Sequence, residues 1–150
     1  MVTFVPAFVS AEAAAWDARK QQEERALASV PDPADRARRL ADWERDHPPP
    51  DATLAQVADH IEHVRRVAGA DHVGVGSDFD GITYVPRGLE DVSRFPDLFA
   101  ELVRRGWSDE DLRKLAGANL LRALRSAEIV AARLQRSRPP PAAAGDRSGR

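Results

Sequence analysis

The run TLAQVADHIEHVRRVAGADHVGVGSDFDG, Thr53 to Gly81, decides how this chain folds. Leu54, Val57, Ala58, Ile61, Val64 and Ala68 recur at helical spacing and make one apolar stripe. Thr53 suits the N-cap, and Gly69 suits the position just past the last turn. A helix over Leu54–Ala68 is predicted. The pattern then changes. His72-Val-Gly-Val-Gly-Ser77 is short, rich in valine and bounded by turn residues, so it reads as a buried strand. Val2 to Val9 reads as another, with Pro6 as a place where it can end. Strand, helix and strand in this order form the βαβ pattern of a parallel sheet.

The connection between the first strand and that helix is long and charged. Ser10 can cap a helix over about Ala11–Ala28; Pro31 and Pro33 break it, and a second helix runs over about Ala34–Arg45. Both are dense in Arg, Lys, Glu and Asp, which predicts a solvated helical hairpin inserted at about 11–50. Pro48-Pro49-Pro50 then imposes an extended connector. Downstream, Pro86 to Pro96 is mostly loop. Pro96 suits the first turn of a helix ending near Arg105, with Gly106 as its stop. Ser108 caps a further helix carrying Asp109, Glu110 and Asp111 in its first turn, and Gly117 ends it. Asn119 can cap a last helix over about Leu120–Leu134. The first 136 residues are thus assigned to the fold, and 137–150 to a disordered tail.

Composition narrows the function. The chain has 150 residues, of which 43% are apolar and 31% charged, with a formal net charge of −2. That length suits one domain with its own core. The charge leaves no footprint for DNA or RNA, so no nucleic-acid partner is expected. The absence of Cys excludes disulfides, thiolate zinc sites and a thiol nucleophile. No apolar run approaches the ~18 residues that span a bilayer, so no membrane partner is expected. MVTFVPAFVSAEAAAW lacks a basic start and is interrupted by Pro6, which argues against a signal peptide and for a cytoplasmic protein.

Chemistry concentrates in GVGSDFDG, Gly74 to Gly81. A dinucleotide-binding loop would need a small residue where Phe79 stands. A calcium loop fails because Ile82, Thr83 and Leu89 occupy positions that need a ligand, a glycine and a bidentate Glu. A plain turn stays open on these residues alone. So does a site at the carboxyl end of a parallel strand, where ligands and catalytic groups gather in such folds. There Asp78 is the first polar side chain to emerge, and can ligate a cation or act as a general acid/base. Phe79 turns back into the packing, and Asp80 and Gly81 shape the loop or support the site. His60 and His63 lie three apart on one helix, but match neither zinc-protease helix motif. His60 flanks the apolar stripe and His63 faces the polar side, so both read as structural, as does Asn119. His72 enters a strand at the opposite end, and His47 sits among prolines. No Gly-x-Ser-x-Gly elbow is present.

The ordered set ADHIEHV, GSDFDG, GLEDVSRFPDL and GANLLR, within Leu54 to Leu124, resembles the C-terminal part of the renal (membrane) dipeptidases, peptidase family M19. MVTFVPAFVS resembles the strand before it. The resemblance implies an α/β fold: the C-terminal part of a (β/α)8 TIM-type barrel, here about two parallel strands plus several helices. It implies a dipeptide substrate and two zinc ions sharing a bridging hydroxide at the carboxyl ends of the strands. It gives Asp78 the role of general base and then acid, with the two strands as the seventh and eighth of the barrel. It also brings in a homodimer, or association with the missing N-terminal part, as partners.

The departures from the family count equally. The family's ligands are a His-x-Asp pair after the first strand, a bridging Glu and two later histidines. No His-x-Asp occurs here, and Asp46-His47 has the reverse order. A complete barrel takes about 250 residues. The expectation is a C-terminal fragment that alone neither binds the zinc pair nor hydrolyses dipeptides. The alternative is a non-catalytic binding or scaffold remnant of the same fold. A helical interaction domain unrelated to hydrolases rests only on the charged 11–45 segment.

Overall fold

Pro6 redirects the chain almost as soon as it begins. In the computed structural model, which describes residues 1–137, strand β1 covers only Val2–Thr3, and a one-turn helix, α1, occupies Pro6–Val9. This corrects the strand expected over Val2–Val9. Proline has no N–H for a sheet ladder, and its fixed φ suits the first position of a helix. Ser10 then caps α2 (Ala11–Leu27), its hydroxyl accepting the Ala13 N–H. Asp32 caps α3 (Pro33–Asp46).

Helix α4 (Leu54–Ala68) has the predicted boundaries. Its capping box is complete: Thr53 accepts from the Gln56 N–H, and the Gln56 side chain accepts from the Thr53 N–H at 2.8 Å. Gly69, at φ 87°, releases the chain into a 3₁₀ turn over Ala70–His72. Strand β2 begins only at Val75 and ends at Ser77, a later start than predicted. The His72 N–H is already used on the Gly69 carbonyl, so it cannot enter a ladder. The strands pair in parallel, Val2 beside Val75 and Thr3 beside Ser77. Val2 N–H donates to Gly74 O at 2.6 Å and Phe4 N–H to Ser77 O at 2.7 Å.

Helices α5 (Phe95–Arg104) and α6 (Asp109–Arg113) follow the loop. A wide turn over Lys114–Ala118 leads into α7 (Asn119–Ser137). Asn119 does not cap α7. Its backbone is already helical, and its buried Nδ2 instead donates to Ala70 O at 2.7 Å and Val73 O at 2.9 Å. These bonds clip α7 to the segment that enters β2. The tail expected at 137–150 lies, apart from helical Ser137, outside the described residues.

The core gathers on one side of the strands: Val2, Phe4, Val57, Ile61, Leu98 and Leu102 are all buried, with Trp107 and Leu115 closing it. Arg105 locks α5 to α4, reaching Glu101 at 2.6 Å on its own helix and Asp59 at 2.6 Å and Glu62 at 2.8 Å on α4. The Arg65 guanidinium lies 4.4 Å from the Trp107 ring centre, and pairs with Asp111 at 2.5 Å.

The charged hairpin is docked, which its composition did not foretell. Trp16 is only 4% exposed. Its Nε1 donates to His47 O at 2.6 Å, and its ring centre lies 5.9 Å from Trp43 and 5.8 Å from Tyr84. His47 stacks on Trp43 at 4.7 Å. The hairpin's charges face water, but an aromatic seam ties it to the loop after β2.

Asn119→Ala removes a donor from two carbonyls in a buried setting, so it should lower stability by about 1–3 kcal/mol. Urea unfolding followed by circular dichroism reads the change. Asn119→Asp should not rescue it, because an ionised carboxylate cannot donate.

Candidate active site at the carboxyl end of the strands

The site begins where β2 stops. Ser77 has φ 45° and Asp78 φ 79°, two consecutive left-handed residues of which neither is glycine. Such conformations cost on the order of 1–3 kcal/mol each and persist where the surroundings impose them. Here the surroundings are aromatic. Phe79 packs edge-on against Phe4 at 5.7 Å and stacks with Phe95 at 6.1 Å, while Phe4 meets Phe95 edge-on at 5.8 Å. Driving Phe79 into that cluster twists the two residues before it, and the twist leaves the Asp78 side chain exposed at the strand end.

Gly81 completes the turn. Its N–H donates to Asp78 O at 3.0 Å. Its Cα also lies directly beneath the Asp78 carboxylate, so a Cβ at 81 would collide with Oδ1. Among the described residues the Asp78 carboxylate has no hydrogen-bond or ion-pair partner in the protein. A carboxylate held against backbone and open to a ligand is suited to proton transfer or cation binding. Asp80 is exposed on the next residue but one.

A cleft of about 280 Å³ opens beside this turn. Val5 and Pro6 at the start of α1, Trp16 and Asp17 from α2, and Gly81 and Tyr84 from the loop all line it. The Tyr84 hydroxyl donates to Asp17 Oδ1 at 3.5 Å. Burial first, and then the charge of Asp17, push the phenol up to about 12 from its usual 10.

The histidines are not drawn to this end. His60 is half-buried and shares a hollow of about 120 Å³ with His72, Met1, Val2 and Gly74 near the start of the strands. His63 is exposed on α4, and His47 belongs to the hairpin's aromatic stack. Among the described residues no group of three or more His, Asp or Glu side chains is placed to hold a metal ion. The sequence reasoning missed the Trp16–Tyr84 wall of the cleft. The available signal was two of the chain's three tryptophans, Trp16 and Trp43, inside a segment otherwise too polar to bury anything.

Two measurements test this geometry. Gly81→Ala should push the Asp78 carboxylate off its position over residue 81, seen as side-chain and amide shifts at Asp78 by NMR, with little loss of stability because that carboxylate is exposed and can rotate away. Tyr84 is the chain's single tyrosine, so phenolate absorbance titrates it alone. Its raised value means that the neutral phenol is favoured in the folded state. That stability is fully present below pH ~10 and is lost as pH rises towards ~12. Asp17→Asn should bring the midpoint back towards 10.

Three comparisons bear on this arrangement. The family model described as membrane dipeptidase, peptidase family M19, matches residues 1–138. Dipeptidase aclJ of Aspergillus oryzae is 52% identical over 88 residues, which cover 59% of this chain and 21% of that protein. Dipeptidase ataJ of Aspergillus terreus is 52% identical over 83 residues, 55% of this chain and 20% of that one. The chain therefore spans about a fifth of the length of these curated relatives. The crystal structure of the probable dipeptidase PvdM from Pseudomonas aeruginosa matches with a TM-score of 0.62 and 27% identity, over 81% of this chain and 35% of PvdM. The parallel strands with their helices form part of an α/β barrel. Among the described residues no helix is long and apolar enough to cross a membrane. With the family model matching nearly the whole length, the chain belongs to the membrane dipeptidases, peptidase family M19.

Proposed function

We propose that residues 1–137 are the carboxyl-terminal portion of a zinc-dependent dipeptidase barrel and supply its proton-transfer group, Asp78. The observation that carries this reading is the Asp78 carboxylate itself: unpaired among the described residues, seated over Gly81, and at the carboxyl end of a parallel strand. Hydrolysis of a peptide bond adds water across it. One proton leaves the attacking water and one must reach the departing amine. A single positioned carboxylate can accept the first and deliver the second. Phe79 and Gly81 hold Asp78 in place for that traffic.

The described residues do not fit a zinc pair, since they bring together no three candidate ligands. The ligands would come from chain outside 1–137. The same observation favours a second reading, a non-catalytic scaffold or binding remnant of the fold. The sheet supports the first. Among the described residues β1 and β2 pair only with each other, which leaves one open edge on each. Closing a barrel removes such edges.

The full chain, supplied with zinc, should not hydrolyse a simple dipeptide. Mixed with the amino-terminal part of a family barrel, it should restore turnover. Asp78→Asn in that mixture should lower kcat about 10²–10⁴-fold with little change in KM. Turnover by the chain alone would overturn the fragment reading, and an unchanged kcat would remove Asp78 from the reaction. Folded mixtures with no turnover at all would favour the remnant.

A further inference from the structure

The cleft beside the Asp78 turn is larger than proton transfer requires, and its lining is selective. Gly81 belongs to both places: it lies under the Asp78 carboxylate and it lines the cleft. Gly81 thus joins the cleft to the turn that carries Asp78. Pro6, Trp16 and Ile82 supply its apolar walls. Farther along α2 come Asp17, Lys20 and Glu24, spaced so that all three face the same opening.

The charges in this row do not cancel. The Lys20 ammonium pairs with Glu44 of α3 at 2.5 Å and lies 5.6 Å from the Trp16 ring centre. It is thus neutralised from the hairpin side. One oxygen of Asp17 accepts from Tyr84, and among the described residues the carboxylate makes no ion pair. Glu24 makes none either; Arg36, which shares the neighbouring hollow with it, donates to Val30 O instead. Apolar walls thus stand beside two carboxylates that make no ion pair among the described residues, with Lys20, already paired to Glu44, between them on α2.

We propose that this cleft receives a basic side chain of the substrate, lysine or arginine, and so sets the specificity of the dipeptidase reaction proposed above, on which this inference rests. The aliphatic stem lies along Pro6, Trp16 and Ile82, as long charged side chains do on apolar surfaces. The cationic head reaches Asp17 and Glu24. An acidic side chain meets like charge, and a purely apolar one leaves both carboxylates without a partner, so the cleft selects by repulsion as well as attraction. Tyr84 is a positioning residue: its hydroxyl aims the Asp17 carboxylate. The hairpin at 11–50, which looked like a solvated ornament, becomes one wall of the substrate site.

The test uses the full chain and a side-chain mimic, so it does not depend on turnover. Agmatine, titrated by NMR, should shift amides of Trp16, Asp17 and Tyr84, and n-butanol and glutarate should not. Asp17→Asn with Glu24→Gln should weaken agmatine binding by about tenfold or more. Glu44→Gln should weaken it too, by freeing the Lys20 ammonium into the cleft, and this variant leaves the cleft carboxylates untouched. In the reconstituted barrel, the double variant should erase a preference for Gly-Arg over Gly-Glu. Equal shifts from agmatine and n-butanol, or unaltered binding in the double variant, would overturn the inference. Hydrolysis with no basic preference would sink it and leave the dipeptidase reading standing. Agmatine binding without any turnover would instead sink the dipeptidase reading and the dipeptide as source of the side chain, while keeping the cation site.

Discussion

The register between β1 and β2 governs everything at the candidate site. Two backbone bonds, Val2 N–H to Gly74 O and Phe4 N–H to Ser77 O, set it, helped by the Thr3 hydroxyl on the same Ser77 carbonyl at 3.2 Å. With that register Phe4 stands beside the end of β2, where Phe79 can meet it. A slip by one residue would send the alternate side chains of β1 to the core and take Phe4 out of the cluster. The left-handed backbone at Ser77 and Asp78 would then lose its cause. The exposed carboxylate is a consequence of strand register transmitted through three aromatic rings.

So short a sheet cannot hold its own register, and the helices do it from outside. Asn119 grips the carbonyls of Ala70 and Val73 just before β2, and Lys114 pairs with Asp71 at 2.8 Å in the same turn. Helix α4 backs both strands with Val57, Ala58 and Ile61, and Arg105 fixes α5 against α4. Buried Trp16 does the corresponding work at the other end. It holds α2 against Tyr84, so that the hairpin and the loop after β2 form two sides of one cleft.

What could be read from sequence follows the range of the interactions involved. Helix α4 was legible to the residue because its determinants are local: Thr53 and Gln56 at one end, Gly69 at the other, and a stripe between them. The parallel pairing was legible from the order of elements, and Asp78 from its place directly after a valine-rich strand. The short α1 was obscured by apolar neighbours that suit a strand equally well, although Pro6 marked the break. Asn119 sits where a cap would sit, yet its side chain serves carbonyls far back in the chain. The docking of Trp16 depends on Tyr84 and His47, contacts that no local pattern encodes. The left-handed Ser77 was equally hidden, since its conformation is imposed by where Phe79 packs.

The same physics supports the reading of this chain as part of a larger barrel. Among the described residues, the side-chain hydrogen bonds that tie helix α7 to other elements come from its first turn, through Asn119 and the contact of Arg122 with Asp71 O. Leu120, Leu124 and Leu134 recur along one face of the helix, each roughly half exposed. A solvent-facing helix has no reason to carry a leucine stripe. The two strands show the same incompleteness at their edges, and past the end of β2 the exposed Asp78 carboxylate stands without a cluster of metal ligands among the described residues. Ser77 and Asp78 adopt a left-handed backbone that costs free energy in non-glycine residues, and a plain turn does not need it. That cost supports the proposal that Asp78 is presented to a site completed by the rest of the barrel.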